Sequence, residues 1–267
     1  MYSLGFLGAG RMGGALIGGL KELSKDTACL FFDSSPERCR EITDAYGIEA
    51  EASIGDMMTK VDGAVIAVKP QVYPSLALEI AADYRSGQML LSIMAGITLK
   101  TLGEKLPPDA KIVRLMPNLA MSVGSGVCLM SCNGNVTEAE KERLREILSP
   151  LGLVKEIPET LMNAGTALSG SGPAFCYALI EGLTLGGIRA GFSRDEAEEL
   201  AVWTMKGAAE LLTRTGESAA ELKDRMMSAA GTTVEGICVL EKSGFRGNAA
   251  DAVMAACRRG GELSEGS

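Results

Sequence analysis

The sequence predicts an α/β protein in two parts. A mostly parallel, open β-sheet covered by helices occupies residues 1–157, and an all-helical part occupies residues 158–267. Three observations carry this expectation. Short apolar and β-branched runs alternate with amphipathic stretches as far as Val154–Ile157. Strand-like runs then stop after Pro158, and a glycine-rich turn joins the first apolar run to the first helical stretch. A chain of 267 residues is long enough for two cores, since single cores stop growing at roughly 250 to 300 residues.

The expected strands are Leu4–Leu7, Cys29–Phe32, Gly63–Val68, Met89–Ile93, Lys111–Leu115, Val127–Ser131 and Val154–Ile157. Helical patterns fill most of the gaps, and right-handed crossovers between parallel strands would put all the strand C-termini along one edge of the sheet. Beyond Pro158, the stretches 160–168, 173–190, 194–214, 218–227, 232–242 and 246–262 read as helices punctuated by Gly and Ser. One of them carries Gly182, Gly186 and Ala190 at i, i+4 and i+8, beside Phe175, Leu179 and Leu183. Each mid-helix Gly costs about 1 kcal/mol in propensity, so the stripe implies a backbone packed closely against it. That backbone belongs either to the same subunit or to a dimer partner.

Composition excludes several function classes. At 46% hydrophobic and 22% charged residues, the chain can bury enough apolar surface to fold. A net charge of -8 opposes a phosphate-coating surface, so no nucleic-acid partner is expected. No apolar run approaches the roughly 20 residues that cross a bilayer, so no membrane partner is expected either. With no His at all, His-based triads and His-ligated zinc are excluded and no metal site is expected. Cys29, Cys39, Cys128, Cys132, Cys176, Cys238 and Cys257 form no C-x-x-C pair and read as reduced, buried, small hydrophobes. Together with an N-terminus that lacks a basic region and a long apolar region, they point to the cytoplasm.

The turn is Gly8-Ala9-Gly10-Arg11-Met12-Gly13, and it opens a helix through Ala15, Leu16, Ile17 and Leu20. This is the G-x-G-x-x-G fingerprint of Rossmann-type dinucleotide sites. Its first Gly makes the turn, the second admits the pyrophosphate and the third lets helix and strand pack closely. Asp33, 20 residues beyond Gly13, can accept hydrogen bonds from the adenosine ribose and so favour NADH. Ser34, Ser35 and Arg38 can instead hold the 2′-phosphate of NADPH if Asp33 points away, and Asp33 could also simply cap the helix that begins at Pro36. Ala67, Val68, Lys69 and Pro70 leave a strand at the ligand-binding edge, as do Ala95 and Gly96 and the stretch Arg114–Asn118. In the helical part, Ser228-Ala229-Ala230-Gly231-Thr232-Thr233 puts small residues and hydroxyls just before a helix. That arrangement suits a carboxylate gripped by backbone N–H groups, or else an ordinary helix start.

The fingerprint, Ala67-Val68-Lys69-Pro70-Gln71, Met116-Pro117-Asn118, Ala167-Leu168-Ser169-Gly170-Ser171-Gly172-Pro173-Ala174 and Ala230-Gly231-Thr232-Thr233-Val234-Glu235-Gly236 with Leu240-Glu241 resemble, in order and spacing, the pyrroline-5-carboxylate reductase family. The resemblance implies hydride delivery from NADPH or NADH to the C=N carbon of 1-pyrroline-5-carboxylate, giving L-proline in the last step of proline biosynthesis. It also implies a helical substrate and dimerisation domain that forms interlocked homodimers, often assembled into rings. Ser228, Ala230, Gly231, Thr232 and Thr233 would then hold substrate, with Thr233 beside the ring nitrogen as the catalytic candidate. Such a reduction asks mainly for orientation and exclusion of water, which suits a chain without His, and Thr233 or a water would supply the proton.

The sequence departs from the family at Ala229 and Ala230, which stand for Pro and Gly, at Leu119 and Ala120 after Asn118, and at Ser125, where a Glu is frequent. Ala230 is strained if its position needs a positive φ. Two other readings use the same fold: a β-hydroxyacid dehydrogenase-like oxidoreductase and a non-enzymatic nucleotide-binding redox sensor. The first depends on a helical-domain Lys, and neither Lys206 nor Lys223 falls in that pattern.

Overall fold

Alternating side chains decide the sheet. The computed structural model describes residues 1–265, with side chains as far as Glu262. Its strands are β1 (Tyr2–Leu7), β2 (Thr27–Phe32), β3 (Gly63–Ile66), β4 (Met89–Ser92), β5 (Lys111–Pro117), β6 (Gly126–Cys132) and β7 (Gly152–Glu156), in the spatial order β2-β1-β3-β4-β5-β6-β7. Between them lie α1 (Arg11–Leu23), α2 (Pro36–Tyr46), α3 (Ile54–Lys60), α4 (Tyr73–Asp83), α5 (Leu99–Gly103) and α6 (Glu138–Leu148). In β1, Leu4 and Phe6 enter one core with Leu16, Ile17 and Leu20 of α1, while Leu7 enters a second core with Met57, Met58, Leu76 and Ile80 of α3 and α4. Helices therefore cover both faces, as a parallel sheet requires.

The first five strands are mutually parallel, but β6 runs antiparallel to β5, and β7 follows β6. The expectation of a single edge for all strand C-termini thus fails for β6 and β7. The cause is the connection: only the short turn Leu119–Val123 joins β5 to β6, whereas a parallel crossover needs about a dozen residues or more.

Contacts divide the chain into two compact units. One is Met1–Gly170 with the chain from Cys257 onward, and the other is Ser171–Ala256. The helices after β7 are α7 (Met162–Gly165), α8 (Gly172–Arg189), α9 (Arg194–Thr215), α10 (Ala219–Met226), α11 (Thr232–Lys242) and α12 (Phe245–Glu265), with a π-helical turn at Thr166–Gly170. Among the described residues, capping boxes start three helices: Thr137 with Glu140, Ser193 with Glu196 and Ser218 with Glu221. In the second unit only Thr184, Ala197 and Ala201 are buried. Phe175, Leu183, Phe192, Leu200 and Trp203 are exposed. The small-residue stripe faces open space, since a Cβ added to Gly182 or Gly186 would meet nothing within 4 Å. Within this chain, α8 instead approaches α9 through Gly187, whose added Cβ would lie 2.9 Å from the Cβ of Ala197.

The cysteines are all free thiols, but they are not uniformly buried. Cys128 is enclosed, and burial pushes its thiol up to about 12, whereas Cys176 and Cys238 are exposed. The exposed pair lies in the helical unit whose apolar faces are uncovered.

Candidate functional site

The fingerprint turn lies where β1 ends. Gly8 takes φ +98°, and a Cβ there would stand 2.8 Å from the Ala67 carbonyl oxygen at the end of β3. A Cβ on Gly13 would stand 2.5 Å from the Gly8 carbonyl oxygen, so the first turn of α1 presses directly on the loop. Gly10 differs from both, because its Cβ would meet no atom within 4 Å. It is the N-cap of α1, with no side-chain cap and no acidic residue in the first turn. Unbonded N–H groups and the positive end of the helix dipole therefore face open space, which fits a pyrophosphate.

The turn forms one wall of a cleft of about 680 Å³. Gly8, Gly10, Asp33, Ser34, Ser35, Ala67, Val68 and Lys69 all line it. The remaining candidates of this group flank them. Ala9 follows Gly8, Arg11 and Met12 open α1, and Pro70 begins a short 3-10 turn at Pro70–Val72. Ala95 and Gly96 lie in the turn leaving β4, where Gly96 takes φ +80°. Sequence reasoning missed the rest of the cleft's lining: Leu7, Phe32 and Ile54, with Val72 at the end of the 3-10 turn and Ser75, Leu76 and Glu79 of α4. The signal for the last four was their i, i+3, i+4, i+7 spacing shortly after Lys69-Pro70.

Asp33 does not point away from the turn. Its Oδ2 accepts the Ala9 N–H at 2.8 Å and its Oδ1 accepts the Ser35 N–H at 2.9 Å. Nor does it cap α2, because the N-cap is Ser35, whose hydroxyl accepts the Arg38 N–H at 3.3 Å. Arg38 was one alternative for holding a 2′-phosphate, on the condition that Asp33 points away, but its guanidinium is otherwise engaged. Nε donates to the Ala9 carbonyl, Nη2 to the Gly10 carbonyl at 3.2 Å, and Nη1 pairs with Glu41. Gly14 leaves it room, since a Cβ there would lie 2.5 Å from Arg38 Nη2.

In the stretch Arg114–Asn118, the first and last side chains are engaged within the fold. Arg114 is 3% exposed and pairs with Glu159 at 3.0 Å, while Oε1 of Glu159 also accepts the Leu99 N–H at 2.7 Å. Asn118 brackets β6, accepting the Val127 N–H at 3.1 Å and donating to the Ser169 carbonyl at 3.0 Å.

The second cluster lies in the other unit. Gly231 is the N-cap of α11 and has no side-chain cap, Thr232 and Thr233 form its first two positions, and Ser228 accepts the Gly231 N–H through its carbonyl at 3.0 Å. Ser228, Thr232 and Thr233 are all exposed. Ala230 takes φ +57°, the one positive φ outside glycine among the described residues. The strain expected from the missing Gly is therefore present. Ala230→Gly is expected to raise the unfolding free energy by about 0.5 to 1 kcal/mol, the cost of holding Ala in the left-handed region. Urea unfolding measures it, and a lowered midpoint counts against strain at this position.

Comparison with known proteins bears on both clusters. Residues 3–96 match the model of the NADP oxidoreductase coenzyme F420-dependent family, and residues 159–263 match that of pyrroline-5-carboxylate reductase dimerisation. A pyrroline-5-carboxylate reductase of Pisum sativum is 36% identical over 265 residues, covering 98% of this chain and 96% of its own length. The chain belongs to the pyrroline-5-carboxylate reductase family. Among solved structures of reductases in this family, the Coxiella burnetii protein superposes with a TM-score of 0.90 at 28% identity, covering 97% of each chain. The Plasmodium falciparum protein, solved with NADP bound, has a TM-score of 0.86 at 31% identity and covers 98% of each chain. In this member of the family, the Gly10 start of α1 and the Gly231 start of α11 both lack a side-chain cap.

Proposed function

We propose that the chain reduces 1-pyrroline-5-carboxylate to L-proline with NAD(P)H, as the last step of proline biosynthesis. The observation that carries this reading is the extent of the likeness. It runs over 98% of the chain and so includes both the fingerprint cleft and the Ser228–Thr233 cluster. A β-hydroxyacid dehydrogenase or a nucleotide sensor would need only the first of these.

When bound, the nicotinamide supplies the hydride to the C=N carbon. Residues 1–157 are assigned the dinucleotide-binding role and residues 158–267 the substrate and dimerisation role, although residues 158–170 and the chain from Cys257 group by contacts with the sheet unit. Gly8 to Gly13 cradle the pyrophosphate by backbone N–H groups, with Asp33, Ser34 and Ser35 at the adenosine end. Ala67 to Pro70 and the Ala95-Gly96 turn face the cofactor from the ends of β3 and β4. The N–H groups and hydroxyls at Ser228, Ala230, Gly231, Thr232 and Thr233 grip the substrate carboxylate. Thr233 orients the ring nitrogen and holds its proton by hydrogen bond. Catalysis is positioning and exclusion of water, with no general acid of shifted pKa required.

A homodimer fits the helical unit, whose apolar side chains and Gly182–Gly186 stripe are open in the single chain. A second copy would cover them, and dimers would assemble into rings. Seven free thiols suit the cytoplasm.

The test follows nicotinamide absorbance with 1-pyrroline-5-carboxylate as substrate. Turnover with at least one cofactor is expected, and none with either sinks the proposal. Thr233→Ala should lower kcat/KM for the imine by about 10- to 100-fold, the usual worth of one oriented catalytic hydrogen bond, with the cofactor KM unchanged. Unaltered kinetics would remove Thr233 from its assigned role.

A further inference from the structure

We infer that this chain selects NADH over NADPH, and that Asp33 is the selecting residue. The inference rests on reading the fingerprint cleft as the dinucleotide site. Choice between the two cofactors reduces to what meets the adenosine 2′ position at the end of β2: a hydroxyl that can donate, or a dianionic phosphate that needs donors and positive charge.

The side chains at the end of β2 serve the hydroxyl. Asp33 lines the cleft beside Gly8 and Gly10, and two backbone N–H groups, of Ala9 and Ser35, fix both its oxygens in place. Each of those oxygens keeps a further lone pair, so a ribose hydroxyl can still donate to the carboxylate. A phosphate at the same place would face a negative charge that cannot swing aside without breaking both bonds.

Among the residues that line the cleft, no cation stands at this end. The guanidinium of Arg38 is committed to the carbonyls of Ala9 and Gly10 and to the carboxylate of Glu41. Recruiting it to a phosphate would strip the fingerprint turn of its support. The start of α2 offers little more, because Pro36 at its first position has no N–H, Glu37 adds a carboxylate in the first turn, and the Ser35 N–H is already given to Asp33. Lys69, the cation lining the cleft, leaves the end of β3, and β1 stands between β3 and β2. Strand spacing puts those two ends about 10 Å apart. The Ser34 and Ser35 hydroxyls remain as neutral donors, which serve a ribose as well as they serve a phosphate.

Calorimetric titration of the full-length protein with NADH and with NADPH at one fixed ionic strength reads the preference without catalysis. NADH should bind about tenfold more tightly or better, the scale of one like-charge contact at the site. Asp33→Asn, which removes the charge and keeps an acceptor, should close that gap about fivefold or more, chiefly by improving NADPH. Equal or tighter binding of NADPH by the unaltered protein overturns the inference, and that measurement decides it even if the variant folds poorly. A wild-type preference for NADH that Asp33→Asn leaves intact removes Asp33 as its cause. Binding of neither nucleotide would instead bring down the dinucleotide reading of the cleft, and this inference with it.

Discussion

Glu159→Ala is expected to destabilise the protein by about 3 kcal/mol, the lower end of the cost of leaving a buried charge unpaired. Glu159 is the sole anion on the buried guanidinium of Arg114 among the described residues, and the Nε of Arg114 has no partner even with Glu159 in place. Removing the carboxylate strands the rest of that guanidinium and also the Leu99 N–H at the start of α5. The opposite change, Arg114→Met, deletes the buried charge and leaves Glu159 with the Leu99 N–H and partial access to water. It should cost only about 1 kcal/mol. Urea unfolding of the two variants measures the asymmetry, and equal losses would mean that the pair contributes through packing rather than through desolvated charge.

The second large effect is expected at the cofactor turn. Gly13→Ala would gain about 1 kcal/mol of helix propensity if space allowed. Space is lacking, because the new Cβ would sit 2.5 Å from a backbone oxygen and only 3.2 Å from the Cβ of Ala67. Either α1 backs away from the loop or the loop moves, and both displace the N–H groups that face the pyrophosphate. A loss of about 100-fold in dinucleotide affinity is expected, with unfolding free energy lowered by about 1 to 3 kcal/mol. Gly10→Ala is the control for space, since its Cβ meets no protein atom. It should leave stability within about 0.5 kcal/mol and still weaken the nucleotide, because the side chain occupies the approach path. Titration calorimetry beside thermal unfolding separates the two cases, and identical behaviour of the pair would contradict this division of labour.

The sequence was most informative where local pattern suffices. All seven strands were legible because β-branched and apolar runs bounded by turns have few alternative readings. The helices after Pro158 were legible from their capping residues and 3.6-residue period. Direction was not legible: the side chains of β6 alternate identically whichever way the strand runs, and only the shortness of the Leu119–Val123 turn decides. Contacts across long separations were also out of reach. Arg114 and Glu159 are 45 residues apart, and nothing near either one names the other. Within the site, the pattern located Asp33 and Arg38 but not their bonds. Which way a carboxylate turns depends on the Ala9 N–H 24 residues away, and whether an arginine is free depends on whether Gly14 leaves it a passage to the loop. The Ala230 strain could be anticipated because its neighbours fixed what the backbone had to do.

The two units also differ in what keeps them folded. The sheet unit encloses three buried apolar clusters within one chain. The helical unit buries little more than Thr184, Ala197 and Ala201, so if the proposed second copy covers it, its free energy of folding includes that binding. By mass action, its unfolding midpoint should climb with protein concentration while that of the sheet unit stays fixed. A freshly synthesised or strongly diluted chain would then hold its nucleotide before it can present Thr233, so the amount of protein present would itself set how much of it is complete.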